Sequence, residues 1–87
     1  LKVTGDSMID AGICDGDWVI VEEGTKPYKS KVHVILIDNQ DVTLKFVEKI
    51  SPKEIKLIPA NKKFKEIVYS VERVSIQGHV VGQVRIY

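Results

Sequence analysis

Residues 32–49 read VHVILIDNQDVTLKFVEK, and this stretch decides the fold. Lys31 to Asp38 is dense in valine and isoleucine, which predicts a strand with both faces largely buried. Asp38-Asn39-Gln40-Asp41 is a polar turn. Val42 to Lys49 is the returning arm of a hairpin. It sets Val42, Leu44 and Phe46 on one face and Thr43, Lys45 and Val47 on the other, because side chains alternate along a strand.

Working outward, the same short-strand pattern recurs on both sides. Trp18-Val19-Ile20-Val21 predicts a strand started by the turn Asp15-Gly16-Asp17, and Glu23 to Ser30 is a loop with Gly24 and Pro27. The segment before it is turn-rich, with Met8, Ile9 and Ile13 expected to anchor it to a core. Beyond the hairpin, Ser51-Pro52 breaks the chain, and Glu54 to Ile58 is another strand, ended by Pro59. Ala60 to Glu66 reads as a loop or one helical turn, and Ile67-Val68-Tyr69 as a short extended piece. In the last segment, Val74 to Tyr87, one face carries Val74, Ile76, Val80, Val84 and Ile86. Gly78 and Gly82 fall on the same parity, which suggests bends or close backbone approach. Nothing shows a sustained helical period. The expectation is a mainly β domain of five to seven short strands with almost no helix, a small barrel or two curled sheets.

Eighty-seven residues make one domain, residues 1–87. Thirteen basic and twelve acidic residues leave a net charge of +1, which gives no footprint for nucleic acid or an anionic membrane. The one cysteine, Cys14, excludes an internal disulfide and fits a reducing compartment; a packing role is expected for it. Apolar runs such as Val34–Ile37 are far short of the ~20 residues a membrane helix needs, so a soluble domain is expected. The chain starts at Leu1 rather than methionine, which points to an excised or processed product.

Candidate chemistry centres on Thr4-Gly5-Asp6-Ser7-Met8. A serine in a glycine turn is ordinarily a turn residue. A nucleophilic serine needs a base within hydrogen-bond reach, because its hydroxyl is weak at neutral pH. His33 and His79 both sit inside strands with no acidic orienter near in sequence, and both read as ordinary strand residues. Lysine is the other base that serves a serine. Most lysines here lie in loops or at strand ends, but Lys45 stands mid-strand between Leu44 and Phe46. On the solvent face it would be unremarked. Partly buried, its pKa would fall by up to ~3–5 units and its amine would be neutral near pH 7. The acidic residues Asp6, Asp10, Asp15 and Asp17 lack the spacing of a calcium loop and fit turn-forming roles.

Four segments in order resemble one family. VTGDSMIDAGICDGDWVIV is similar to its nucleophile motif, a Gly-x-Ser-Met core followed by Gly-Ile and Asp-Gly-Asp before an apolar strand. VHVILIDNQDVTLKFVEK is similar to its lysine hairpin. IKLIPANKKFKEIVY is similar to its Leu-Pro-x-Asn-x-x-Phe-x-x-Ile segment, and IQGHVVGQVRIY to its Gly-x-x-Val-Gly closing strand. The family is that of the C-terminal domain of LexA-type repressors and the related UmuD-like proteins, self-cleaving serine–lysine peptidases.

The resemblance implies several curled antiparallel sheets with a partly open barrel. It implies Ser7 as nucleophile, Lys45 as general base, Thr43 beside the lysine, and the backbone N–H groups of Asp6 and Ser7 as the oxyanion hole. It implies no cofactor and no metal. Its substrate would be the chain's own upstream segment, and its activator a RecA nucleoprotein filament. It implies a homodimer in the cytoplasm, paired near Val84 to Tyr87, no membrane, and DNA contacted only through an N-terminal domain outside this chain. One departure is a turn from Asp38 to Asp41 that is one residue longer than the family pattern. Absorbed in the turn it leaves Lys45 in place; displaced into the strand it would turn Lys45 to the wrong face. Ala11-Gly12 has the residue types of a scissile bond in this family but lies too close to Ser7 to bend into the site. The alternatives are a UmuD-like polymerase accessory protein and a phage-type repressor domain kept as a non-catalytic dimerisation module. A type I signal peptidase is disfavoured because SMIDAGI lacks the proline of that motif.

Overall fold

A computed structural model describes residues 1–87. Its strands are β1 (Trp18–Glu23), β2 (His33–Ile37), β3 (Asp41–Ser51), β4 (Glu54–Ile58), β5 (Ile67–Ser70) and β6 (Val74–Val84). Helix is limited to single 3₁₀ turns at Ile9–Ala11 and Val71–Arg73. The strand order is β1-β6-β2-β3-β4-β5, every pairing is antiparallel, and the sheet is not closed. The fold is therefore mainly β, as expected, with a curled open sheet.

The long strand β3 joins the two halves. Asp41 to Lys45 pair with β2, and Phe46 to Ser51 pair with β4. The β2–β3 hairpin also divides the interior in two. Val34 and Leu44 enter a core with Val3, Met8, Ile13 and Val19. Their neighbours Ile35 and Val47 point the other way, into a core with Ile55 and Leu57. This explains why β2 is hydrophobic on both faces: each face lines a different core.

The turn after β2 leaves Lys45 in place. Ile37 pairs with Asp41, and the register runs unbroken to His33 opposite Lys45. Asp38 and Asn39 take left-handed conformations, with φ of 52° and 57°, which these residue types tolerate. Arg73 then clamps the turn through two bonds to the Asp38 carboxylate, at 2.9 and 2.7 Å.

Two local expectations are corrected. Val84 and Ile86 do not share a buried face with Val74 and Ile76; both are exposed, and β6 ends at Val84. Register shifts opposite Val34/Ile35 and Ile20/Val21 place two irregularities in β6: the first turns Val80 into the first core while Val74 and Ile76 pack on the second, and the second restores the parity, so Val84 is exposed because its side of β6 meets no core there. Ile9 is exposed, so of the three apolar residues only Met8 and Ile13 anchor the first loop to the core. His33 lies in β2 as expected and is fully buried there.

Candidate active site

Ser7 sits in a loop pinned from three sides. Gly5 turns the chain with φ of 85°, and its N–H donates to the Asp15 carboxylate at 2.7 Å. Met8 plugs the next residue into the first core at 2% exposure. From the far side, the Ala60 N–H donates to the Ser7 carbonyl at 2.8 Å, and the Asp10 N–H donates to the Ala60 carbonyl at 2.7 Å. A side chain between two such anchors is held at the surface of the sheet and half exposed.

Lys45 reaches this serine from β3. Its Nζ lies 3.0 Å from Ser7 Oγ and 2.5 Å from Thr43 Oγ1, across a sequence separation of 38 residues for the first contact. Thr43 and Lys45 share a face because they are two apart on one strand. The mid-strand lysine is thus not on the solvent face. It is half-buried and no carboxylate pairs with it. Burial alone holds its ammonium below the usual lysine range, since desolvation disfavours the charged form. An amine with one lone pair can donate to Thr43 and accept the Ser7 hydroxyl proton at the observed separation.

A cleft of about 310 Å³ opens beside the pair. Ser7, Thr43 and Lys45 form one polar wall, Lys65 adds a second lysine, and Ile37, Leu57, Phe64, Ile67 and Tyr69 line the rest. A second groove meets Ser7 from the other side, between the first residues of the chain, Leu1 included, and Val42 to Leu44 of β3. The backbone N–H groups of Asp6, Ser7 and Met8 have no acceptor within the chain. They lie in the sharp turn that presents the serine, where such donors can face a developing oxyanion.

The remaining candidates stand elsewhere. The His33 ring lies parallel to that of Tyr28 and tilted to that of His79, with centroids 6.4 and 6.3 Å away. The Tyr28 N–H donates to His33 Nε2 at 2.9 Å, which makes that nitrogen an acceptor, and burial lowers the imidazole's pKa. His79 approaches Glu22 at 3.5 Å. Neither histidine serves Ser7. Asp15 is a turn acceptor, and Asp17 is buried with Arg85, which donates to it at 2.8 and 2.9 Å. Cys14 is half-buried and takes a 3.2 Å contact from the same guanidinium on its sulfur.

Sequence reasoning passed over Asn61, read only as part of a polar loop. Its Nδ2 donates to the Asp6 carbonyl at 2.7 Å and its Oδ1 accepts the Lys63 N–H at 2.9 Å. The one signal for it was its place in the segment resembling Leu-Pro-x-Asn.

The family model described as Peptidase S24-like matches residues 1–81. A LexA repressor of Zymomonas mobilis is 42% identical over all 87 residues, which cover 40% of that protein. A LexA repressor of Gluconacetobacter diazotrophicus is 45% identical over 87 residues, covering 34% of it. A LexA repressor of Petrotoga mobilis is 40% identical over 86 residues, 99% of this chain and 42% of that protein. The chain thus spans less than half the length of these relatives. With the serine and lysine brought together on an open β-sheet and the match running through nearly every strand, the chain belongs to the Peptidase S24-like family and is a domain of the LexA type.

Proposed function

We propose that this chain is the self-cleaving domain of a LexA-like transcriptional repressor of the SOS response. The observation that carries the reading is the 3.0 Å approach of Lys45 Nζ to Ser7 Oγ, made by a half-buried lysine that no carboxylate neutralises. Neutral Lys45 takes the Ser7 proton as Oγ attacks a peptide carbonyl. The oxyanion is held by the free N–H groups of Asp6 and Ser7. The C–N bond breaks, Lys45 returns the proton to the leaving amine, and an ester on Ser7 remains. Water, deprotonated by Lys45, then releases the new carboxylate and regenerates the serine.

The substrate in this reading is the protein's own segment upstream of Leu1. Leu1 lines the groove that ends at Ser7, so a segment entering there starts beside the nucleophile. Attack within one chain gains a high effective molarity, which offsets a poor nucleophile. A RecA filament would act by favouring the conformation with that segment in the cleft. DNA binding belongs to another domain, dimerisation to this one, and the protein works in the cytoplasm without a cofactor. No helix here is long and apolar enough to cross a membrane.

The test is self-cleavage of the full-length protein on gels from pH 7 to 10, for wild type, Ser7→Ala and Lys45→Ala. Cleavage in wild type alone, rising with pH, is expected. Equal cleavage in all three, or none in wild type even with RecA filaments, would sink the dyad.

A further inference from the structure

Asn61 lies 55 positions from Asp6 in sequence, yet its side chain ends on the carbonyl of the peptide that joins Asp6 to Ser7. That peptide is planar and trans, so its C=O and its N–H point in opposite directions. A bond that fixes the Asp6 oxygen therefore fixes where the Ser7 N–H points. The Ile9 N–H also donates to that oxygen, but at 3.3 Å, and it belongs to the same turn. Asn61 is the side-chain tether from outside it. The Ala60 N–H does the same for the next peptide through the Ser7 carbonyl.

Asn61 is itself fixed. Its Oδ1 is occupied by the Lys63 N–H, which orients the amide with Nδ2 toward Asp6. The result is a rigid strut, strand β4 to Pro59 to Asn61, that sets two consecutive peptide planes at the nucleophile. The Ser7 N–H is left without an acceptor in the chain, as a donor for an incoming oxyanion must be.

We infer that Asn61 is a positioning residue that aims the Ser7 N–H at the oxyanion site. It touches no substrate and acts through the Asp6–Ser7 peptide. The inference rests on the reading of Ser7 as a nucleophile, and the experiment separates the two. The discriminating variant is Asn61→Asp, which keeps an acceptor for the Lys63 N–H but puts an oxygen against the Asp6 carbonyl. Asn61→Ser is the second: its hydroxyl can still accept locally, but it is too short to reach Asp6.

The full-length proteins are treated with a fluorophosphonate across pH 7 to 10. Ser7 Oγ forms a bond to phosphorus, fluoride leaves, and Lys45 takes the proton. Rates are read by mass spectrometry, and thermal unfolding gives the folded fraction of each variant. Wild type is expected to label on Ser7, with Ser7→Ala unlabelled. Both Asn61 variants are expected to label about 10- to 100-fold more slowly per folded molecule, somewhat less than full loss of one oxyanion donor, with the pH midpoint unchanged. Labelling within twofold of wild type would overturn the positioning role, and so would a slower rate with a shifted midpoint, which would mean action through Lys45. No Ser7-dependent labelling of the wild type would instead overturn the nucleophile reading, and the role of Asn61 with it.

Discussion

At the scale of the residue, burying Lys45 costs the fold stability. Its ammonium is half-buried without a counter-charge, so the folded chain holds its pKa below that of the unfolded chain. Between those two values the unfolded chain binds more protons, and stability rises with pH. Lys45→Met should therefore raise the melting temperature at pH 7, with the gain shrinking toward pH 10, while abolishing self-cleavage. Calorimetry at the two pH values checks this; a lower melting temperature at pH 7 would mean that the bonds to Ser7 and Thr43 outweigh desolvation. Ser7 and Lys45 were both legible in the sequence, the first from its glycine turn and motif, the second from its place in an apolar strand. Their distance was not. His33 shows the limit: the sequence gave no sign of the Tyr28 segment that packs on it.

At the scale of the element, β6 carries the least legible geometry. Its alternating pattern continues to Ile86, yet the strand ends at Val84 and its bulges reset the faces. A bulge inserts one residue, which reverses every later side chain, and periodicity in the sequence does not mark where that happens. At Gly78 the backbones approach closely, and there a Cβ would meet the Glu22 carbonyl oxygen and lie 2.7 Å from Val21 Cγ1. Gly78→Ala is expected to cost about 1–3 kcal/mol by overpacking β6 against β1, read from the urea midpoint. Ile35→Ala, at a fully buried position of β2, should cost about 2–5 kcal/mol in the same assay. The β2–β3 hairpin is the opposite case. Its register is unbroken from the turn to Lys45, with two left-handed residues and the Arg73 clamp fixing the turn.

At the scale of the whole molecule, the two ends of the chain are latched together. Asp17, before β1, is 1% exposed and holds Arg85, after β6, while the Cys14 N–H donates to it at 2.8 Å. These bonds lower its pKa from 3.8 to about 2, the Arg85 bond most. The carboxylate's contribution is present above pH 3.8 and lost as pH falls toward 2. Asp17→Asn should lower the melting temperature near neutral pH, and the gap to wild type should close across that acid window. A gap unchanged by acid would remove the latch. Nearby, Trp18, Ile20, Val81, Val84 and Ile86 are all exposed on the β1 and β6 strands or just past them. If copies of the chain pair there, Val84→Lys with Ile86→Lys should convert a dimer to a monomer in sedimentation, with the fold retained.

What the sequence by itself determined is the class of strand, the hairpin and its two faces, and the residue types of a serine–lysine pair. Those follow from local rules: alternation, turn chemistry, and the rarity of a charge amid apolar neighbours. Only the tertiary structure decided that Lys45 meets Ser7, that β2 divides two cores, and that Asn61 and Arg85 reach across the chain to hold the first loop. Each of these joins residues 38 or more positions apart, except the division by β2, which depends on which strands lie on either side. Side-chain periodicity records which face a residue occupies, whereas what stands opposite that face is set by how the sheet curls.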